Sequence, residues 1–90
     1  MYLVVYDIQS DKLRTQFAKF LERYGIRMQY SVFSVVNSPR ILANIKVEIV
    51  NRFEKRFSQG DSVIVYQVPD DACVAKFGYH IDDDSDLVIR

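Results

Sequence analysis

Few residues of this chain could do chemistry: one carboxylate, Asp7, two arginines, Arg14 and Arg27, and a short polar row, Gln29 and Ser31. Magnesium keeps several of its waters and needs only one or two carboxylates together with phosphate oxygens. One carboxylate per chain is too few for a closed metal cage. A two-fold axis passing near Asp7 would supply a second. Arginines close by would hold a phosphate through charge-assisted hydrogen bonds. Such a set could bind, or cleave with a metal, a phosphodiester. The plainer reading of Asp7 is a turn residue whose carboxylate bonds nearby backbone N–H groups.

Other constellations fall away. The chain has no glycine-rich phosphate loop, no paired-cysteine zinc spacing and no nucleophile elbow. His80 has no companion ligands in sequence, and a surface or packing role suits it better. Asp82, Asp84 and Asp86 match the first ligand positions of an EF-hand loop, but Leu87 stands where glycine is needed and the bidentate glutamate is missing. That stretch reads as a solvated acidic turn. The single cysteine, Cys73, has no partner for an internal disulfide, which fits a reducing cytoplasm, and no neighbour that would activate it.

The elements that must position Asp7 begin with the strand it ends. Seven of the eight residues Met1–Ile8 are apolar or aromatic, and Asp7 is the exception. Strand alternation puts Tyr2, Val4 and Tyr6 on one face and Leu3, Val5 and Asp7 on the other. Both faces are apolar, so the strand is expected at the centre of a sheet. Ser10 or Asp11 then caps a helix running to about Tyr24, with Leu13, Phe17, Phe20, Leu21 and Tyr24 as its buried stripe. Gly25 is the expected helix stop. Arg27 to Val36 reads as extended, either one long strand or two short ones breaking near Gln29-Tyr30-Ser31. Ser38 caps and Pro39 opens a second helix to about Phe57, whose stripe is Ile41, Leu42, Ile45, Ile49 and Phe53. Gln59-Gly60-Asp61 is a turn into the strand Ser62–Val68. A short strand at Val74–Tyr79 and the apolar triplet Leu87-Val88-Ile89 complete the pattern.

This order predicts an α+β sandwich of one domain, residues 1–90, with both helices on one face of an antiparallel sheet. If the middle segment is a hairpin, the pattern is the split β-α-β, ferredoxin-like one. Residues 1–68 form the core, and residues 69–90 form an extension that includes a C-terminal strand and lies at a dimer or partner interface. The second sheet face stays uncovered, and with 49% hydrophobic and 13% aromatic residues in a chain of 90 a homodimer is expected to cover it. No apolar run approaches the roughly 20 residues of a membrane span, and no basic region precedes the apolar start, so a cytoplasmic protein with no membrane partner is expected. The net charge is zero but uneven. Residues 1–60 hold ten Lys/Arg against five Asp/Glu, and residues 61–90 hold two against seven. The basic front could attract phosphate, and the acidic tail could not.

Taken together, Tyr6-Asp7-Ile8, Asp11-Lys12-Leu13-Arg14, Tyr24-Gly25-Ile26-Arg27, Gln29-Tyr30-Ser31-Val32-Phe33 and Asp61-Ser62-Val63-Ile64-Val65-Tyr66 resemble the CRISPR-associated protein two family over about residues 1–68. The resemblance implies a ferredoxin-like homodimer with sheets facing each other, working in CRISPR spacer acquisition with integrase subunits. It also implies that the tail strand crosses to the partner. The family's catalytic aspartate falls on Asp7 with Tyr6 beside it, its phosphate-contacting arginines on Arg14 and Arg27, and a site aromatic on Phe33. One Mg²⁺ per dimer, shared by Asp7 of both chains, is the implied cofactor. With Arg14 and Arg27, the neighbouring Lys12, Gln29 and Ser31 are the expected contacts to duplex DNA or single-stranded RNA. Some members carry a second arginine two residues after Arg14, where this chain has Gln16.

Three functions fit these residues. The first is a metal-dependent endonuclease acting on RNA or DNA. The second is a scaffold that binds duplex DNA along its basic helices and bridges integrase subunits without chemistry of its own. The third is a small regulatory module that binds a metabolite. The uneven charge and the missing glycine-rich ligand loop count against the third.

Overall fold

The computed structural model describes residues 1–69 and 74–78. Four strands, β1 (Tyr2–Asp7), β2 (Gly25–Gln29), β3 (Val32–Val35) and β4 (Ser62–Gln67), form one antiparallel sheet in the order β2-β3-β1-β4. Two helices, α1 (Asp11–Glu22) and α2 (Pro39–Glu48), fill the connections β1–β2 and β3–β4. This is the ferredoxin-like arrangement expected from the element order. The middle segment is a hairpin, with Tyr30 and Ser31 at its turn.

Alternation of β1 decides which side the helices cover. Tyr2, Val4 and Tyr6 are buried beneath them, whereas Leu3 and Val5 are half-exposed and Asp7 is exposed on the open side. The core is an aromatic cluster. Phe17 meets Tyr6 and Phe53 edge-on, each at 5.0 Å between ring centres, and Phe20 lies 5.1 Å from Phe53. Phe17, Phe33, Phe53, Leu21, Ile45, Val4 and Val35 lose essentially all contact with solvent.

Both helix starts follow their sequence signals. The Ser10 hydroxyl accepts the Leu13 N–H at 3.1 Å, and the Ser38 hydroxyl accepts the Ile41 N–H at 3.3 Å. After Glu48 the helix widens: Ile49–Phe53 is a π-type turn in which the Glu54 N–H reaches the Ile49 carbonyl, followed by a 3-10 turn, Glu54–Arg56. A stripe spaced every four residues drifts by about 40° per step on a regular α-helix. The wider turn takes up that drift and returns Phe53 to the core.

Three expectations need correction or placement. Helix α1 ends at Glu22, two residues before Tyr24, and Gly25 is not its stop. Gly25 opens β2 opposite Val35, where a Cβ would lie 2.1 Å from the Ser34 carbonyl oxygen; the glycine is there because two backbones meet. The stretch Val74–Gly78 is not a strand. Cys73, Tyr79, His80, the acidic turn and Leu87-Val88-Ile89 lie outside the described residues. Among the described residues, no helix is long and apolar enough to cross a membrane.

Candidate functional site

The C-terminal end of β1, the β2–β3 turn, the start of α1 and the start of β4 meet at one end of the sheet. Asp7 stands opposite Ser62 in the β1–β4 ladder, and the Tyr6 N–H donates to the Ser31 carbonyl at 3.1 Å across the β1–β3 pair. Of the described residues, the site candidates Tyr6, Asp7, Lys12, Arg14, Arg27, Gln29, Ser31 and Phe33 lie on the elements that meet here, but on two different sides of the sheet.

On the open side is Asp7, exposed, and in no ion pair among the described residues. The surface beside it is apolar. Val5 stands between Val32 and Ile64, and Leu3 between Ser34 and Tyr66. Ile26, Ile64 and Tyr66 are 66%, 48% and 51% exposed, although strand side chains of this kind normally seek cover.

On the covered side are Tyr6, Arg27 and Phe33. Arg27 stands opposite Phe33 in the β2–β3 ladder, with its guanidinium carbon 5.2 Å from the Phe33 ring centre. Its Nε is buried and has no hydrogen-bond partner among the described residues. Tyr6 packs between Phe17 and Phe33 and directs its hydroxyl at the Tyr30 carbonyl, 3.4 Å away. Burial raises the Tyr6 pKa, and the positive charges of Arg27 and Arg14 pull it only partly back. Tyr6 therefore stays a neutral donor at physiological pH. Phe33 is wholly buried, so it supports Arg27 and presents no face for stacking on a base. Between Arg27 and Gln29 the β2–β3 register slips by one residue, a bulge that places Met28 opposite no partner and turns the strand toward the hairpin.

Arg14 lies near the start of α1. Its Nη1 donates to the Ile8 carbonyl at 2.9 Å and more weakly to the Gln9 carbonyl at 3.5 Å, while its Nη2 pairs with Asp11. The guanidinium thus grips the backbone that leaves Asp7. Lys12 is exposed in the first turn of α1, and Gln29 is exposed at the end of β2. Ser31 is half-buried in the hairpin turn, and its carbonyl is engaged by Tyr6. Among the described residues no three His, Cys, Asp or Glu side chains come close enough to hold a metal ion. The hard carboxylate oxygens of Asp7 suit magnesium, but a site needs a second contributor.

Two features escaped the sequence. Asp61, read there as a turn residue leading into a strand and given no role at the site, accepts the Gln9 N–H at 2.9 Å with Oδ1 and the Ser58 N–H at 2.8 Å with Oδ2. Those backbone donors, Ser58 first and Gln9 second, hold its carboxyl below the usual carboxylate range. An acidic residue just after a Gly at a strand entrance was the available signal, but the Gln9 contact spans 52 positions. The second is Arg56, whose Nη2 donates to Gln16 Oε1 at 2.9 Å and brings a cation from the end of the second helical segment to position 16. Along α2 and the turns that follow it, Arg40, Lys46, Arg52, Lys55 and Arg56 are exposed, with Arg52 paired to Glu48 at 3.0 Å.

Comparison with known proteins adds to this geometry. The model of a family described as CRISPR associated protein Cas2 matches residues 1–76. The CRISPR-associated endoribonuclease Cas2 2 of Thermodesulfovibrio yellowstonii is 32% identical over 77 residues, spanning 86% of this chain and 81% of that protein. The crystal structure of a hypothetical protein from Thermus thermophilus superposes with a TM-score of 0.74 at 29% identity, covering 88% of this chain and 90% of the other. The crystal structure of Streptococcus pyogenes Cas2 at pH 6.5 superposes with a TM-score of 0.70 at 26% identity, covering 86% of this chain and 98% of that one.

Proposed function

The chain belongs to the CRISPR associated protein Cas2 family, and from that membership we propose that it acts in CRISPR adaptation as a homodimer that binds nucleic acid and bridges integrase subunits. The open sheet faces meet in the dimer, and the helices stay outside. Phosphate is met by the exposed cations of the second helical segment and by Lys12 at the start of α1. The observation that carries binding ahead of chemistry is the engagement of the two arginines. Arg14 is tied to the Ile8 carbonyl and to Asp11, and Arg27 lies against Phe33. Both guanidiniums are thus already engaged by groups of their own chain.

Metal-dependent phosphodiester hydrolysis is the second reading, favoured by one observation: Asp7 is exposed, and in no ion pair among the described residues, beside the face that the dimer would cover. Asp7 of each chain would hold one shared magnesium ion, with water and phosphate oxygens as the remaining ligands. When bound, the ion would supply an activated water and neutralise charge on the phosphate. Arg14 would then keep the exit of β1 in place, and Gln29 and Ser31 would face the nucleic acid at the hairpin.

The test pairs binding with cleavage. Anisotropy of a labelled duplex should show affinity falling steeply between about 50 and 200 mM salt, as phosphate contacts require. Asp7→Asn should keep that affinity and lose any magnesium-dependent cleavage. A wild-type dimer with no salt-dependent duplex affinity would remove the binding role. Cleavage by Asp7→Asn at the wild-type rate would remove Asp7 from the chemistry.

A further inference from the structure

The two residues that follow Asp7 are held from both sides by charged groups from elsewhere in the chain. From α1, Arg14 Nη1 takes the Ile8 carbonyl at 2.9 Å. From the entrance of β4, Asp61 Oδ1 takes the Gln9 N–H at 2.9 Å. Asp61 is itself fixed. Its other oxygen accepts the Ser58 N–H at 2.8 Å and the Ser58 hydroxyl at 3.2 Å, and its own N–H donates to the Ser58 carbonyl at 3.0 Å. Gly60, with φ at +98°, closes that turn. The ladder itself ends at the pair Asp7 and Ser62, so the Asp61 carboxylate continues the connection between β1 and β4 for one step beyond the last backbone pair.

A turn residue need only satisfy its own turn, and Ser58 would suffice for that. The second carboxylate oxygen is spent instead on a backbone amide 52 positions away, two residues past Asp7. An exposed loop with no such bond would let the end of β1 fray, because strand ends open most easily. We propose that Asp61 is a positioning residue for Asp7: with Arg14 it clamps Ile8 and Gln9, and so fixes where the Asp7 carboxylate stands relative to its two-fold mate. The assignment rests on the reading of Asp7 as a shared metal ligand. Groups bonded directly to a metal ligand change affinity or activity by about 10–100-fold when removed, and Asp61, acting through the backbone two residues on, should fall near the lower end of that range.

The experiment uses the full-length dimer and Mn²⁺ as the probe. Wild type, Asp61→Ala and Asp7→Asn are compared by calorimetric Mn²⁺ titration, by single-turnover and KM measurements on a labelled duplex, and by amide exchange. For a folded, dimeric Asp61→Ala chain, Mn²⁺ affinity and kcat should fall by about tenfold or more. KM should hold, and exchange should quicken at Gln9 while the Val4 amide stays protected. Should Asp61→Ala not fold, Asp61→Asn keeps one acceptor oxygen and should give a smaller change of the same kind. Wild-type Mn²⁺ affinity together with an unchanged Gln9 amide in a folded Asp61 variant would overturn the assignment. If wild type binds Mn²⁺ no better than Asp7→Asn, the metal reading fails by itself. In that case Gln9 exchange decides the clamp: quickened exchange upholds it, and unchanged exchange overturns it.

Discussion

Placing a charge on the open face at Ile64→Asp should break the dimer and leave the chain folded. Ile64 lies opposite Val5 on β4 and is 48% exposed, so about half its surface awaits a partner. Full burial of an isoleucine side chain stabilises by about 1.5–3 kcal/mol, so covering the remaining half contributes about 1 kcal/mol per copy. A two-fold interface uses each patch twice, which makes the lost burial about 2 kcal/mol per dimer. The new carboxylate has no cation opposite it in the β1–β4 ladder, and burying it without a partner costs at least about another 1–3 kcal/mol per copy. The total of about 4–8 kcal/mol corresponds to about three to six powers of ten in Kd. A dimer that holds at nanomolar concentration then becomes a monomer at micromolar concentration. Sedimentation equilibrium reads the mass, and circular dichroism checks the fold. Val50→Asp is the control: Val50 is 56% exposed but lies in the π-type turn after α2, on the helix side, so its variant should still dimerise. A folded Ile64→Asp chain that dimerises as tightly as wild type would refute the sheet-to-sheet arrangement.

Two further outcomes follow from the backbone and from Asp61. Gly25→Ala drives a Cβ to 2.1 Å from the Ser34 carbonyl oxygen, and since both sides are backbone neither can swing away; opening the start of the hairpin should cost about 2–4 kcal/mol, read as a lower urea midpoint. Duplex affinity per folded dimer should stay the same. The lowered pKa of Asp61 means that its carboxylate stabilises the fold fully above the ordinary aspartate value, and this contribution disappears as pH falls through the lower folded value. Wild type should therefore lose its advantage over Asp61→Asn in urea denaturation as pH drops from neutral into that acid range. An advantage that persists unchanged there would mean the carboxylate charge is irrelevant to the turn.

Local periodicity carried much of this protein in its sequence. Alternation along Met1–Ile8 put Asp7 with Leu3 and Val5, and the open face of β1 is that set. The stripes Leu13-Phe17-Phe20-Leu21 and Ile45-Ile49-Phe53 are the faces that the helices turn to the sheet, because a 3.6-residue period is written in the chain itself. The serine caps needed only three residues of sequence to be legible. Direction and partnership were not. Whether Arg27 to Val36 was one strand or two depended on pairing with β1. Gly25 looked like a helix stop because its reason, the Ser34 carbonyl across the hairpin, is a non-local neighbour. The resemblance grouped Tyr6, Asp7, Arg14, Arg27 and Phe33 as one site, yet adjacent strand residues point to opposite faces, and the tertiary structure sends Tyr6 and Arg27 beneath the helices and leaves Asp7 outside. Asp61 became more than a turn residue only when folding carried Gln9 to within 2.9 Å of it. A hydrogen bond between residues far apart in sequence leaves no period to read, so the fold alone decided it.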